Sequence, residues 1–248
     1  MNLSAAIPAL TLLAVIAYAQ NAAPTKTLKV LTKAETDPAR LLPPPPENGS
    51  ESQRKELAEV EHIVKTRTAE RFARAVWDNE HEDATAFAAT IGPEFDLKRL
   101  PATAKLLAVV LNDQSVVASE SKVYFHRQFP VAAAGAAAIS YRDWSCDADV
   151  KKPSDRPLRS YPSGHATLGY SLGIVLAALI PEKSQAILAR AADYAFSREI
   201  CGDHYHSDVE ASHALGNAIG IMLLNNAALK PQIDASKAEL RAAHLTMR

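Results

Sequence analysis

Apolar residues recur at helical spacing along most of the chain and almost nowhere alternate with a period of two. In "SQRKELAEVEHIVKTR" (residues 52–67), Leu57, Val60 and Val64 share one face, which predicts an amphipathic helix. "AERFARAVWDNE" (69–80) and "ATAFAATIG" (84–92) continue the pattern, with Gly92 placed to cap the second. "LPATAKLLAVVLNDQSVVASESKVYFHRQFP" (100–130) predicts one or two helices that stop near Pro130. Residues 132–161 mix Gly, Asp, Pro and Lys and read as loop. "HATLGYSLGIVLAALI" (165–180) is apolar nearly all round, which predicts the buried central helix of a bundle. "EKSQAILARAADYAFSREICG" (182–202), "DVEASHALGNAIGIMLLNNAAL" (208–229) and a polar C-terminal helix complete it. The expected fold is all-α, a single-domain bundle over residues 51–248.

Two segments precede the bundle. Residues 1–19 carry no charge, contain an apolar run and end in Ala17-Tyr18-Ala19, the pattern of a signal peptide cut after Ala19. An uncleaved anchor is the alternative, but the run is short against the ~20 residues of a membrane span. Residues 20–50 lead through "LLPPPP", which cannot be helix interior and predicts an extended arm. Export to the periplasm or medium changes the reading of Cys146 and Cys201, which would form one disulfide in an oxidising compartment; two buried thiols are the alternative. Glycine is sparse at 9 residues in 248, in keeping with helix. The net charge of -1 gives no reason to expect nucleic acid as a partner.

The reactive side chains concentrate in "SREICGDHYHSD" (197–208) and "YPSGH" (161–165). His204-x-His206-x-Asp208 has the spacing of metal ligands. The same residues also fit a histidine nucleophile held by a carboxylate. His204 and Asp208 are four apart, on one face if helix begins there, and Asp208 would accept the Nδ1 proton and leave Nε2 outward. Arg198 can grip phosphate oxygens. In the upstream segment, Ser163 or Gly164 would cap the apolar helix. A helix N-terminus offers free N–H groups and the positive end of a dipole to an anion, with His165 at its mouth.

"KVYFHRQFP", "YPSGH" and "SREICGDHYHSD" together resemble the three motifs of the PAP2-type phosphatases, and the secreted bacterial class A non-specific acid phosphatases in particular. "LPPPP" and "ICG" resemble that subfamily as well. The resemblance implies an all-helical enzyme that hydrolyses small phosphomonoesters without metal or cofactor, through a phosphohistidine. It implies His204 as nucleophile, Asp208 as its orienting partner and His165 as acid and base. Lys122, Ser163, Gly164 and Arg198 would hold the phosphoryl oxygens. No nucleic acid and no membrane span after signal removal are implied, and a homo-oligomer is compatible with it.

The chain departs from the pattern once. Counting from Lys122, the first motif's Arg-Pro falls on Phe129-Pro130. Lys122, His126 and position 129 are spaced four and three apart, so a protonated His126 on the same helical face would partly replace the lost cation. His126 as a surface residue is the plainer reading, and a different register would bring in Arg127 instead. A phosphate-binding relative disabled by Phe129 is therefore one alternative function, and a vanadate-binding haloperoxidase-like protein another. His-x-His-x-Asp also resembles the metallo-β-lactamase signature, but those proteins are rich in strands and glycine, and the next histidine of that motif is Val209 here. Membrane lipid phosphatases share the motifs but need several spans.

Overall fold

The computed structural model describes residues 26–135, 144–147 and 157–247. The predicted signal peptide and much of the predicted 132–161 loop lie outside the described residues. The chain is all-α, with no strand among the described residues. In order the helices are α1 (Pro38–Leu41), α2 (Glu51–Thr66), α3 (Ala69–Glu80), α4 (Ala88–Ile91), α5 (Pro101–Phe125), α6 (Pro130–Ala134), α7 (Gly164–Leu179), α8 (Ser184–Ile200), α9 (His206–Leu224) and α10 (Lys230–Ala242). None of them is long and apolar enough to cross a membrane.

Helix α7 is the centre, packed against α5, α8 and α9. Ser163 caps it, its hydroxyl accepting from the amide of Ala166. Nearly every side of α7 is apolar because nearly every side is covered: Leu172, Leu176 and Leu179 are fully buried. Each such side chain contributes roughly 1.5–3 kcal/mol relative to exposure. The α7–α9 approach depends on Gly216, where a Cβ would stand 2.7 Å from Tyr170 Cβ and 2.8 Å from the Thr167 carbonyl oxygen.

The arm is more than an extended strand of prolines, since it includes α1 and buries Leu31 and Leu42 in the core. Buried Asp113 on α5 accepts from the amides of Lys29, Val30 and Leu31 at 2.7, 3.0 and 2.9 Å. Tyr161 donates its hydroxyl to the Pro43 carbonyl at 2.7 Å, tying the arm to the segment that enters α7.

Helix α5 does not run to Pro130 as expected. It ends at Phe125, and His126 takes the left-handed conformation at φ 51°. Pro130 opens α6 instead, where its fixed φ and missing N–H cost nothing. The expected loop from residue 132 is therefore helix as far as Ala134. Cys146 and Cys201 are joined as a disulfide across 55 residues, which contributes about 4 kcal/mol on the chain-entropy estimate. Beside it, Gly202 turns the chain at φ +75°, with the Trp144 carbonyl 2.7 Å from where a Cβ would sit, and so delivers His204.

Candidate active site

His204 precedes α9 rather than lying in it, so its contact with Asp208 is not the expected pairing of helix neighbours. Asp208 sits in the first turn, where its Oδ2 accepts from the Tyr205 amide at 3.1 Å in the manner of a capping box. The same oxygen lies 3.1 Å from His204 Nδ1 and accepts from Ser160 Oγ at 2.6 Å. Oδ1 accepts from Arg127 Nη1 at 2.6 Å. Both residues are buried, Asp208 completely. A carboxylate facing Nδ1 requires that nitrogen to carry the proton, which leaves the Nε2 lone pair as the reactive one.

Burial pushes His204 down to about 4 against the ordinary histidine value. The hydrogen bond to Asp208 opposes this, while the charges of Lys122 and Arg198 reinforce it. Burial alone would raise Asp208, but the hydrogen bond from His204, the Arg127 cation and the Ser160 hydroxyl outweigh it and hold the carboxyl below its usual range.

Three other helices converge on this pair. Lys122, in the last turn of α5, donates Nζ to the carbonyls of Arg159 and Ser160 at 2.6 and 3.4 Å. Its Cε would lie 3.8 Å from a Cβ at Gly164, so it reaches the start of α7. Ser163 and Gly164 form that start, and the Ser163 amide is 3.4 Å from the Asp208 carbonyl oxygen. His165 faces a cavity of about 220 Å³ lined also by Lys122, Arg159, Gly164 and Glu82, and its Nε2 lies 3.1 Å from Glu82 Oε1. Arg198, 2% exposed, is gripped by Asn79 Oδ1 at 2.7 Å and the Ala75 carbonyl at 3.3 Å. Its buried Nε has no hydrogen-bond partner among the described residues. A larger cavity of about 610 Å³ lies between Leu42, residues 44–46 and His126, and neither His204 nor His165 lines it.

The first motif needs correction at two positions. His126 shares no face with Lys122, because the helix stops before it; its Nδ1 contacts the Tyr124 carbonyl at 3.2 Å at the exposed edge of the arm-side cavity. Arg127 is already paired on both sides. Its side chain is wholly buried behind Asp208, between that carboxylate and Glu56. Phe129 stands beside the site, its ring centroid 5.6 Å from that of His204 and 5.8 Å from Lys122 Nζ. The metal-like triplet is not brought together either: His206 turns away to pair with Glu199 at 3.1 Å. Ser160, Glu56 and Glu82 were not singled out in the sequence, and no local pattern marks them. Each meets the site only through contacts that span dozens of residues.

The PAP2 superfamily profile matches residues 102–230. A non-specific acid phosphatase of Providencia stuartii is 32% identical over 207 residues, covering 82% of this chain and 80% of that protein. An acid phosphatase of Zymomonas mobilis is 27% identical over 215 residues, 84% of this chain and 77% of its own. A non-specific acid phosphatase of Salmonella typhimurium is 29% identical over 183 residues, 71% and 68% of the two chains.

Proposed function

The chain belongs to the PAP2 superfamily, and from that footing we propose that it is an exported acid phosphatase that hydrolyses phosphomonoesters through a phosphohistidine at His204, without metal. The observation that carries this reading is the buried His204–Asp208 pair, set among Lys122, the N-terminus of α7 and an arginine whose buried Nε has no partner among the described residues. Its electrostatics also suit acid. An ordinary histidine is mostly protonated at pH 5, whereas one pushed down to about 4 keeps its lone pair there.

In the first step Nε2 of His204 attacks phosphorus. The N–P bond forms as the P–O bond to the alcohol breaks, and protonated His165 gives its proton to the leaving oxygen. The positive charge gained by the His204 ring faces the Asp208 carboxylate. In the second step water attacks phosphorus and gives its proton to His165 as the N–P bond breaks, which restores neutral His204. Lys122, Arg198, the Ser163 hydroxyl and the Gly164 amide hold the equatorial oxygens, so positioned charge supplies most of the acceleration. A relative that binds phosphate but turns it over slowly is the second reading, favoured by Phe129 beside the nucleophile.

The test is hydrolysis of p-nitrophenyl phosphate across acidic pH, with and without EDTA. Turnover unaffected by the chelator, abolished in His204→Ala, and an acid-labile phosphohistidine in quenched protein are expected. An active His204→Ala protein, or activity lost to EDTA, overturns the mechanism. Export is tested by N-terminal sequencing, which should begin at Gln20; a start at Met1 in the membrane fraction overturns cleavage after Ala19.

A further inference from the structure

We infer that Glu56, on α2, is a positioning residue for the nucleophile: it holds the Arg127 guanidinium so that one oxygen of Asp208 is taken by arginine and the other is left to His204. Arg127 donates Nη2 to Glu56 Oε2 and Nη1 to Asp208 Oδ1, both at 2.6 Å, and its side chain has no exposed surface. Tyr205 lies against the guanidinium, 4.1 Å from its carbon to the ring centroid. The second Glu56 oxygen accepts the Ser207 amide at 3.0 Å, and Arg127 Nη1 also reaches Ser207 Oγ at 2.7 Å. One carboxylate therefore fixes both the cation behind Asp208 and the turn of α9 that carries Asp208. That amide is one of the free donors at a helix start, where an anion is favoured.

The register of α2 sets this up. Gln53, Glu56 and Val60 are three and four apart. Gln53 donates to the Tyr205 hydroxyl at 3.2 Å, and Val60 packs with Tyr205 and Trp144. Glu56 lies outside residues 102–230, so the nucleophile is completed by a helix beyond the matched region.

A guanidinium prefers to meet a carboxylate with two parallel N–H bonds. Held from behind by Glu56, Arg127 presents only Nη1 to Asp208. Released, it can close on both Asp208 oxygens and compete with the Nδ1 proton of His204. The kinetic part of this inference rests on the phosphatase reading; the orientation of His204 does not.

The experiment compares wild type with Glu56→Gln and Glu56→Asp. Glu56→Gln should lower kcat roughly 10- to 100-fold, the scale of partners that orient a working histidine. KM should change less than about threefold, because Lys122, Arg198 and the α7 N-terminus are untouched. The acid limb of the pH profile, which reports His204 among Asp208, Lys122 and Arg198, should shift. In proton NMR the downfield Nδ1–H signal of His204 should weaken or vanish. Glu56→Asp, which keeps the charge with a shorter reach, should recover part of kcat and stands in if Glu56→Gln does not fold. Unchanged kcat, or losses shared equally by kcat and KM with an unmoved pH profile, overturns the positioning role. If wild type itself shows no turnover, the phosphatase reading fails, and the NMR signal alone decides on Glu56.

Discussion

Two histidine–carboxylate pairs stand within the same site with the same 3.1 Å separation, His204–Asp208 and His165–Glu82. They differ in what surrounds them. The first has 7% and 0% of its side chains exposed, the second 22% and 64%. In the first pair the carboxylate is saturated, by His204, Ser160, Arg127 and the Tyr205 amide, so it can only hold the imidazole still. In the second the carboxylate is mostly in water, its carboxyl held down chiefly by the nearby His165 ring. A nucleophile needs one tautomer and one orientation, and burial enforces both. An acid that becomes a base must exchange protons during the cycle, and an open pair allows that. Contact distance alone does not separate the two proposed roles; burial does.

Asp208→Asn is the largest break of the comparison. Loss of a histidine-orienting carboxylate lowers kcat by roughly 10³- to 10⁴-fold, and KM should hardly move, as steady-state kinetics on an aryl phosphate will show. A small loss here, matched by Glu82→Gln, ends the distinction between the pairs.

Stability in acid should follow the buried pair as well. Native His204 resists protonation down to about pH 4, while the unfolded chain takes up that proton from about pH 6.5. Between those values the unfolded state binds more protons, so stability is lost as pH falls, by about 3 kcal/mol over the window. Asp208 adds to the loss at lower pH, because its native carboxyl is held down. Burial opposes the proton on His206, but Glu199 and its neighbours outweigh it and raise the ring, so this group works the other way. Urea unfolding from pH 7 to pH 4 measures the fall, and His204→Gln should flatten it.

Phe129→Arg sharpens the buried side. A charge-assisted bond of ~1.5–3 kcal/mol corresponds to about ten- to a hundredfold tighter phosphate or vanadate, read by calorimetry. His126 faces the arm-side cavity instead, so His126→Ala should leave the acid profile unchanged. Affinity unmoved by Phe129→Arg would mean that residue 129 does not face the anion.

The smallest effect belongs to the open pair. Exposed ion pairs are worth ~0.2–1 kcal/mol, so Glu82→Gln should change kcat/KM by no more than about fivefold, and less as salt is raised. A loss as deep as that of Asp208→Asn would show that Glu82 orients its histidine as strictly as the buried carboxylate does.

Periodicity was enough to read the all-α bundle, the central helix α7 and the amphipathic face of α2, because a helix shows its buried side locally every three to four residues. Spacing and the family resemblance together brought Lys122, Ser163, Gly164, His165, Arg198, His204 and Asp208 forward as one set. The end of α5 is not legible from Pro130, because proline suits a first turn as well as a stop and His126 has already left the helix. The roles of Arg127, Glu56, Ser160 and Glu82 were not legible at all. Arg127 meets Asp208 across 81 residues and Glu56 across 71, and no periodicity connects positions so far apart. The sequence by itself determined which segments are helical and which residue types could carry phosphoryl chemistry. Tertiary structure alone decided which arginine backs the carboxylate, which carboxylate stays wet and where Phe129 stands, because those follow from burial and long-range hydrogen bonds that exist only once the helices have packed.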